Sequence, residues 1–250
     1  MVPLKLSSFV SIEKEDEIAY IIIDNGSANT IDDAAFLDLS KLKSWLEENP
    51  VKGMIIYGKG RHFSNGANVT YIDKIKDNPQ QLEETLNQGK AILNFIEGLP
   101  IVTVAAISGA CFGAGFEIAL SCKYRVCTKN ALFSFPETGL GLLPGFAGNI
   151  RLPELIGDKK ALELILTGNV LSSEDAEKLG IVDQVSNKGE HIECAKQLIK
   201  RMTEHVTYEQ LSCVIELMNK ARQEREQNQN RKELMRKESC YFAKLAEKRK

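Results

Sequence analysis

The chain has 250 residues, of which 43% are hydrophobic and 26% charged, and its 32 Lys and Arg nearly balance its 34 Asp and Glu. This composition excludes a generally disordered chain and gives no overall electrostatic reason to expect nucleic acid or a membrane surface as a partner. A chain of this length can bury a substantial core as one large domain, with or without a small helical appendage.

The distribution of apolar residues predicts strands alternating with helices over the first two thirds of the chain. Two short apolar runs at 9–13 and 18–24 are separated by a charged turn and predict a strand pair, and helical spacing over 32–48 predicts the first helix. Further along we expect buried strands at 53–58 and 101–107, a helix at 79–98 between them, and strands at 124–128 and 181–185.

One uncharged stretch of 18 residues, 99–116, reaches the length of a membrane-spanning helix. It contains Pro100 and three glycines, however, and it is followed at once by Glu117. We therefore interpret this stretch as a core strand, a turn and the start of a helix.

Helices dominate after residue 149. Ser172 and Gly180 have the character of an N-cap and a C-cap, and later helices are predicted near 190–204, 207–228 and 231–248. This order predicts an α/β fold class, with a core over 1–190 and an α-helical region over 191–250. The last 31 residues hold 11 Lys and Arg against 5 Glu, which we interpret as a solvated helix face rather than a polyanion-binding tail.

The cysteines and the N-terminus indicate the compartment. The six cysteines are scattered without a Cys-x-x-Cys pair, which is typical of free thiols in a reducing compartment rather than of a disulfide framework. Charged residues appear near the N-terminus before any apolar stretch long enough for a secretion signal. We therefore expect a cytoplasmic protein that does not enter a membrane.

Two glutamates stand alone in stretches that hold no other charge. Glu117 is the only charged residue of 99–122, and Glu137 is the only one of 130–150. A carboxylate in apolar surroundings costs free energy unless it is paired, hydrogen-bonded or protonated, and proteins tolerate that cost where a raised pKa serves acid/base chemistry. Either glutamate by itself could lie at the surface or cap a neighbouring amide, but the two together favour a catalytic site.

Glycine-rich turns lie next to the first of these glutamates. The turn 109–115 follows a strand and opens a helix, but Ile118 occupies the last position of a dinucleotide-binding fingerprint, so that interpretation is weak. The glycines instead allow backbone N–H groups to face an anion at the helix N-terminus. A second loop, 61–68, can supply another N–H, and two such donors form an oxyanion hole. With two carboxylates, this arrangement predicts proton transfer beside a polarised carbonyl group.

These residues resemble the motifs of the crotonase (enoyl-CoA hydratase/isomerase) family over most of the chain. The motifs are Phe-Ser-Asn-Gly-Ala-Asn at 63–68, Gly-Ala-Gly-Phe-Glu-Ile-Ala at 113–119, a stretch from Phe through Pro-Glu to Gly at 133–148, and Thr-Gly with a later Gly-Ile-Val-Asp at 167–183. The resemblance implies the crotonase fold, a superhelix of β-β-α units whose helical C-terminal region builds trimers or pairs of trimers.

The resemblance also implies roles for individual residues. The N–H groups of Ala67 and Ala114 would form the oxyanion hole, while Glu117 and Glu137 would activate a water molecule and deliver a proton to Cα. Four further residues are expected to bind the substrate: Arg61, Ser64, Asn68 and Leu140.

The implied activity is that of an enoyl-CoA hydratase acting on a coenzyme A thioester, with no metal and no separate cofactor. The three histidines are far apart and lack metal-ligand spacing, which agrees with that expectation. The alternatives are double-bond isomerisation, dehydration or decarboxylation of a carrier-protein-bound polyketide intermediate, and a non-catalytic or RNA-binding role for the basic C-terminal face.

The chain departs from the family motifs at three positions near the predicted site. Asn68 replaces the usual Asp, Ala114 stands at a position that is commonly Gly, and Ala147 replaces the first Gly of a Gly-Gly pair. An alanine N–H donates a hydrogen bond as well as a glycine N–H, so Ala114 affects the shape of the site more than its chemistry.

Overall fold

The computed structural model describes residues 3–33, 36–227 and 231–247. Ten strands are present in the described part of the chain: β1 (Leu4–Lys5), β2 (Val10–Glu15), β3 (Ile18–Ile23), β4 (Gly53–Gly58), β5 (Val102–Ile107), β6 (Ala110–Phe112), β7 (Tyr124–Thr128), β8 (Leu132–Ser134), β9 (Leu171–Ser172) and β10 (Gln184–Ser186).

Helices connect and cover these strands. They are α1 (Leu39–Glu48), α2 (Val69–Ile75), α3 (Pro79–Gly98), α4 (Ala114–Ser121), α5 (Gly148–Ile156), α6 (Asp158–Thr167), α7 (Ser173–Lys178), α8 (His191–Thr203), α9 (Tyr208–Gln227) and α10 (Arg231–Glu247), together with a 3-10 helix at Pro136–Leu140.

The main sheet has the strand order β1-β2-β3-β4-β5-β7-β10. The first three strands pair antiparallel, and every pairing from β3 onward is parallel. Strands β3 to β5 are almost entirely apolar because both faces of the sheet are covered. The larger core cluster fills one face, while α8 packs its buried residues against the other.

A second, smaller sheet has the order β6-β8-β9 and positions the candidate site. Its strands β6 and β8 are parallel, with Phe112 opposite Ser134. The chain therefore leaves both strands at the same edge of this sheet. Ala114 follows two residues after the end of β6, and Glu137 follows three residues after the end of β8.

The structure confirms most of the predicted elements. The uncharged stretch 99–116 forms β5, β6 and the start of α4, and no helix among the described residues is long and apolar enough to cross a membrane. The predicted ends of two C-terminal helices, at 228 and 248, lie outside the described residues.

Two predicted boundaries were wrong. The first helix begins at Leu39 rather than near Asp32, because Asp38 is its N-cap and accepts the N–H groups of Ser40 and Lys41. Asp32 instead accepts hydrogen bonds from the side chains of Asn25 and other residues. The strand predicted at 181–185 begins only at Gln184 and continues to Ser186.

The C-terminal helices return to the core. Helix α10 packs along α3, and its residues Phe242, Ala243 and Ala246 are buried. The division into 1–190 and a trimerisation region over 191–250 stays a prediction.

Candidate active site

A cavity of about 120 Å³ brings together five of the predicted site residues: Ala67, Ala114, Glu117, Glu137 and Leu140. The rest of its wall is largely apolar. It comes from α2, α3, the segment 142–146 and α10, with side chains that include Tyr71, Leu82, Leu86, Leu142, Phe146 and Phe242. A mostly apolar cavity with a few convergent polar groups is typical of a small-molecule site.

Two loops place the predicted oxyanion-hole donors on the same wall. The N–H of Phe112 donates to the carbonyl of Ser64 at 3.0 Å, which pairs the loop 61–68 with β6. Gly66 has φ +90°, and a Cβ added there would lie 2.8 Å from the Phe112 carbonyl oxygen and 3.5 Å from the Ala114 nitrogen. Only glycine therefore permits this close approach.

The N–H groups of Ala67 and Ala114 donate no hydrogen bond within the part of the chain that the structure describes. Ala114 is the first residue of α4, where backbone N–H groups have no partner inside the helix. Both donors are thus available to an oxygen atom in the cavity.

Glu117 lies in the first turn of α4 and is 1% exposed. Its Oε1 atom accepts the N–H groups of Phe146 and Gly148, each at 2.7 Å. Burial raises the pKa of Glu117 well above its usual value, and the charges of Glu238 and Glu137 raise it further, while the two N–H groups act in the opposite direction.

Glu137 belongs to the 3-10 helix that follows β8. Its carboxylate packs against Gly113, where an added Cβ would lie 2.5 Å from Oε1. Its Oε2 atom is inaccessible to solvent and has no hydrogen-bond partner among the residues that the structure describes. Burial raises the pKa of Glu137 to about 7, and the charge of Glu238 acts in the same direction. Both carboxyl groups therefore favour the protonated form more than an exposed glutamate does.

Two of the predicted substrate contacts, Ser64 and Asn68, lie behind the loop rather than on the cavity wall. Ser64 is fully buried, and its hydroxyl donates to the Asn29 carbonyl and accepts the N–H of Gly66. Asn68 is the N-cap of α2 and donates to Asp32 at 3.0 Å. Both side chains shape the loop that carries the Ala67 N–H.

Arg61 lies at a second cavity, of about 330 Å³, and its side chain is exposed. Lys59 and His62 also line this cavity, and Asn65 borders both cavities. The structure thus places Arg61 next to the candidate site but outside the volume that holds the two glutamates.

Sequence reasoning missed a further buried carboxylate near the cavity, Glu238 of α10. Its Oε2 atom accepts the N–H of Ala147 at 2.8 Å and lies 3.0 Å from the Nζ atom of Lys90. The available signal was Lys90 itself, which occupies a position on the apolar face of α3 with Leu86 and Leu93. A lysine at such a position requires a buried acceptor.

Within the described ranges, no group of three or more His, Cys, Asp and Glu side chains is arranged to hold a metal ion. The thiol of Cys111 is fully buried, and burial raises its pKa well above the usual value. Among the residues that line the cavity, the carboxylates are Glu117 and Glu137.

Comparison with known proteins identifies the family. A family model described as enoyl-CoA hydratase/isomerase matches residues 13–250. A probable enoyl-CoA hydratase of Bacillus subtilis (strain 168) is 34% identical over 211 residues, which cover 84% of this chain and 81% of that protein. A fatty acid oxidation complex subunit alpha of Idiomarina loihiensis is 40% identical over 184 residues, which cover 71% of this chain but only 26% of that protein.

The fold has a close counterpart among solved structures. The crystal structure of an enoyl-CoA hydratase from Bacillus halodurans superposes with a TM-score of 0.80 at 24% identity and covers 96% of this chain and 95% of that one. The architecture is thus the crotonase fold, with the α/β core and helical C-terminal region expected from the sequence. The chain belongs to the enoyl-CoA hydratase/isomerase family.

Proposed function

We propose that this protein is an enoyl-CoA hydratase, which adds water reversibly and in the syn sense to the double bond of a 2-enoyl-CoA thioester. The observation that carries the proposal is that the buried Glu117, the half-buried Glu137 and two unpaired backbone N–H groups line one cavity. The B. subtilis relative, described as a probable enoyl-CoA hydratase, supports the same reaction.

The thioester carbonyl oxygen would accept the N–H groups of Ala67 and Ala114. Negative charge develops on this oxygen as water attacks Cβ, and one donor of this kind is worth about 3 kcal/mol of the barrier. Because the donors are fixed by the backbone, they need no rearrangement during the reaction.

Glu117 and Glu137 would hold the attacking water between them. One glutamate, as a carboxylate, removes a proton from the water while the water oxygen bonds to Cβ. The other glutamate, protonated at the start, gives its proton to Cα when the enolate collapses. The double bond is lost, one C–O and one C–H bond form, and the pair as a whole ends with the same number of protons.

The binding of the rest of the substrate follows from the two cavities. The apolar wall with Leu140 would contact the acyl chain, and Arg61 and Lys59 at the second cavity would face coenzyme A phosphates. Coenzyme A is part of the substrate, and we propose neither a metal nor a separate cofactor. A thioester of an acyl-carrier protein is the alternative substrate.

Exposed apolar side chains on α9 support the further proposal that the protein forms a homotrimer or a pair of trimers. Val214, Leu217 and Met218 are each more than half exposed. Exposed apolar residues that lie together on one surface mark protein interaction sites more often than free surface.

The test is a panel of 2-enoyl-CoA and acyl-carrier thioesters, with products identified by mass. Glu117→Gln and Glu137→Gln should each lower kcat at least 100-fold, since general acid/base groups contribute factors of this size or more. Glu163→Gln, at an exposed glutamate of α6 that pairs with Lys160, is the matched control and should keep wild-type turnover.

Two outcomes would contradict this proposal. If both active-site variants retain wild-type kcat, the two-carboxylate mechanism is wrong. If the product is a 3-enoyl thioester and no 3-hydroxyacyl thioester appears, the protein is an isomerase rather than a hydratase.

A further inference from the structure

The segment 146–148 presents successive backbone N–H groups to two different carboxylates. Phe146 and Gly148 donate to Glu117, whereas Ala147, between them, donates to Glu238. Ala147 has φ +72°, a left-handed conformation that alanine adopts only at a cost in free energy. The charge-assisted hydrogen bond to Glu238 acts against this strain.

Glu238 is itself held by a fully buried cation. Lys90 is 3% exposed, and its Nζ atom contacts Glu238, the Met235 carbonyl at 2.7 Å and the Ser239 hydroxyl at 2.6 Å. These three acceptors use all three protons of the ammonium group. Asn149 also donates to Glu238, so that both carboxylate oxygens are occupied.

This network connects two helices to the segment 146–148. Lys90 lies on α3 and Glu238 lies on α10, while Ala147 is the N-cap of α5. A buried ion pair adds little net stability compared with apolar residues of the same volume. Stability alone is therefore a weak reason for placing Glu238 against this loop.

We propose that Glu238 is a positioning residue for the catalytic carboxylates: through the N–H of Ala147 it fixes the segment 146–148, whose other two N–H groups hold Glu117. This inference deepens the proposed hydratase function and rests on it. Glu238 itself is not among the residues that line the cavity.

The electrostatic direction follows from the charges that face Glu117. Glu238 from α10 and Glu137 from the 3-10 helix both raise its pKa, and Glu238 also raises the pKa of Glu137. Two positive charges lie close to this group. Lys90 of α3 forms an ion pair with Glu238, and Arg151 of α5 donates a hydrogen bond to the Phe146 carbonyl. Removing the negative charge of Glu238 should therefore lower the pKa of both catalytic glutamates.

The first experiment is the pH dependence of kcat in Glu238→Gln. Both limbs of a bell-shaped profile should move to lower pH by about one unit, because a nearby charge shifts a carboxyl pKa by about this amount or more. On the alkaline limb kcat should fall about tenfold, with KM changed less than kcat.

Glu97→Gln is the matched control. Glu97 pairs with Arg151, which holds the same loop through the Phe146 carbonyl, but it is not among the charges that face Glu117. This variant should lower the melting temperature without moving either limb. If Glu238→Gln also lowers only the melting temperature, Glu238 is merely structural and the inference is wrong.

The double variant Lys90→Met/Glu238→Gln removes both charges of the buried ion pair. It serves as a second test in case Glu238→Gln alone misfolds because Lys90 is left as an unpaired buried charge. Its limbs should move in the same direction as those of Glu238→Gln, but less far, because the positive charge of Lys90 is also gone. Limbs that stay at the wild-type pH in both variants would overturn the inference.

A second readout does not depend on turnover. The pKa of Glu117 in the folded protein lies above its unfolded value, so stability is lost as pH rises from about 4.3 towards the folded pKa. Glu117→Gln should lack the loss of stability that the Glu117 carboxyl group causes. In Glu238→Gln the folded pKa of Glu117 should lie closer to the unfolded value, so this loss of stability should occur over a narrower pH range. Thermal unfolding of the wild type, both single variants and their combination measures the effect.

The two readouts separate the failure of this inference from that of the proposed function. Suppose that the wild type hydrates no 2-enoyl thioester, but that Glu238→Gln still narrows the pH range over which stability is lost. The proposed hydratase function is then wrong, and the positioning of Glu117 by Glu238 stands. If hydration is observed and neither readout responds to Glu238, the inference alone fails.

Discussion

At the scale of single residues, Gly113 decides how close Glu137 lies to Ala114, the proposed oxyanion-hole donor. Its φ of +50° and ψ of −123° form a conformation that suits glycine alone, and a Cβ would lie 2.5 Å from the Glu137 carboxylate. A substitution here therefore introduces both backbone strain and a direct collision with a proposed catalytic group.

We predict that Gly113→Ala lowers kcat at least tenfold because it displaces Glu137. The control is Gly180→Ala, since Gly180 has φ +75° but open space where its Cβ would be. Both variants should lose about 1–2 kcal/mol of unfolding free energy to backbone strain, while only Gly113→Ala loses activity. Steady-state kinetics and urea unfolding measure the two effects, and equal kcat in both variants would contradict the role of Gly113.

Sequence reasoning pointed to some residues of the candidate site and missed others for a physical reason. Glu117 and Glu137 stand out because their neighbours carry no charge, and the structure brings both to one cavity. Glu238 lies in a helix rich in Lys and Glu, where nothing distinguishes a buried carboxylate from solvated ones. Its contact with Lys90 depends on how α10 packs on α3, which sequence periodicity does not reveal.

At the scale of elements, the strands most important for the site were the hardest to predict. Strands β6 and β8 have three residues each, too few to show the alternation that identifies a strand. Both ends of β4 and of α3 were predicted correctly, because each has a longer apolar pattern with clear limits. Strand β4 begins and ends at glycine, and α3 begins at Pro79 and ends at Gly98.

Helix α10 contributes Phe242 to the apolar part of the cavity wall. Phe242 is 3% exposed, so its removal enlarges the cavity rather than exposing a surface. We predict that Phe242→Ala raises kcat/KM for longer 2-enoyl-CoA chains relative to four-carbon ones, since the added space can take further methylene groups.

Met235→Ala is the control for this prediction. Met235 is buried on the same helix but does not line the cavity. Both variants should lose about 2–5 kcal/mol of stability, and the preference for chain length should change only in Phe242→Ala. Assays with a series of chain lengths measure the ratio, and an unchanged ratio in Phe242→Ala would show that α10 does not limit the acyl chain.

At the scale of the whole molecule, α9 leaves an apolar groove beside the core. Asn219 donates to the Gly98 carbonyl, and Arg222 pairs with Glu97, which fixes this helix at the end of α3. A groove of about 810 Å³ lies between α9 and the core, lined in part by Val214 and Met218. Water in such a groove is displaced favourably when apolar surface from another chain covers it.

We predict that in the proposed trimer a second copy of the chain covers the exposed apolar face of α9 beside this groove, which consists of Val214, Leu217 and Met218. Wild-type protein should sediment with three or six times the mass of one chain, and Leu217→Glu should lower that mass because it places a charge in the interface. Leu217 is 67% exposed, so the substitution should leave the folded chain intact. Leu4→Glu, at a leucine of β1 that is 41% exposed, is the control and should keep the wild-type mass. Sedimentation of the wild type as a single chain would contradict the trimer and leave the apolar face of α9 to another partner.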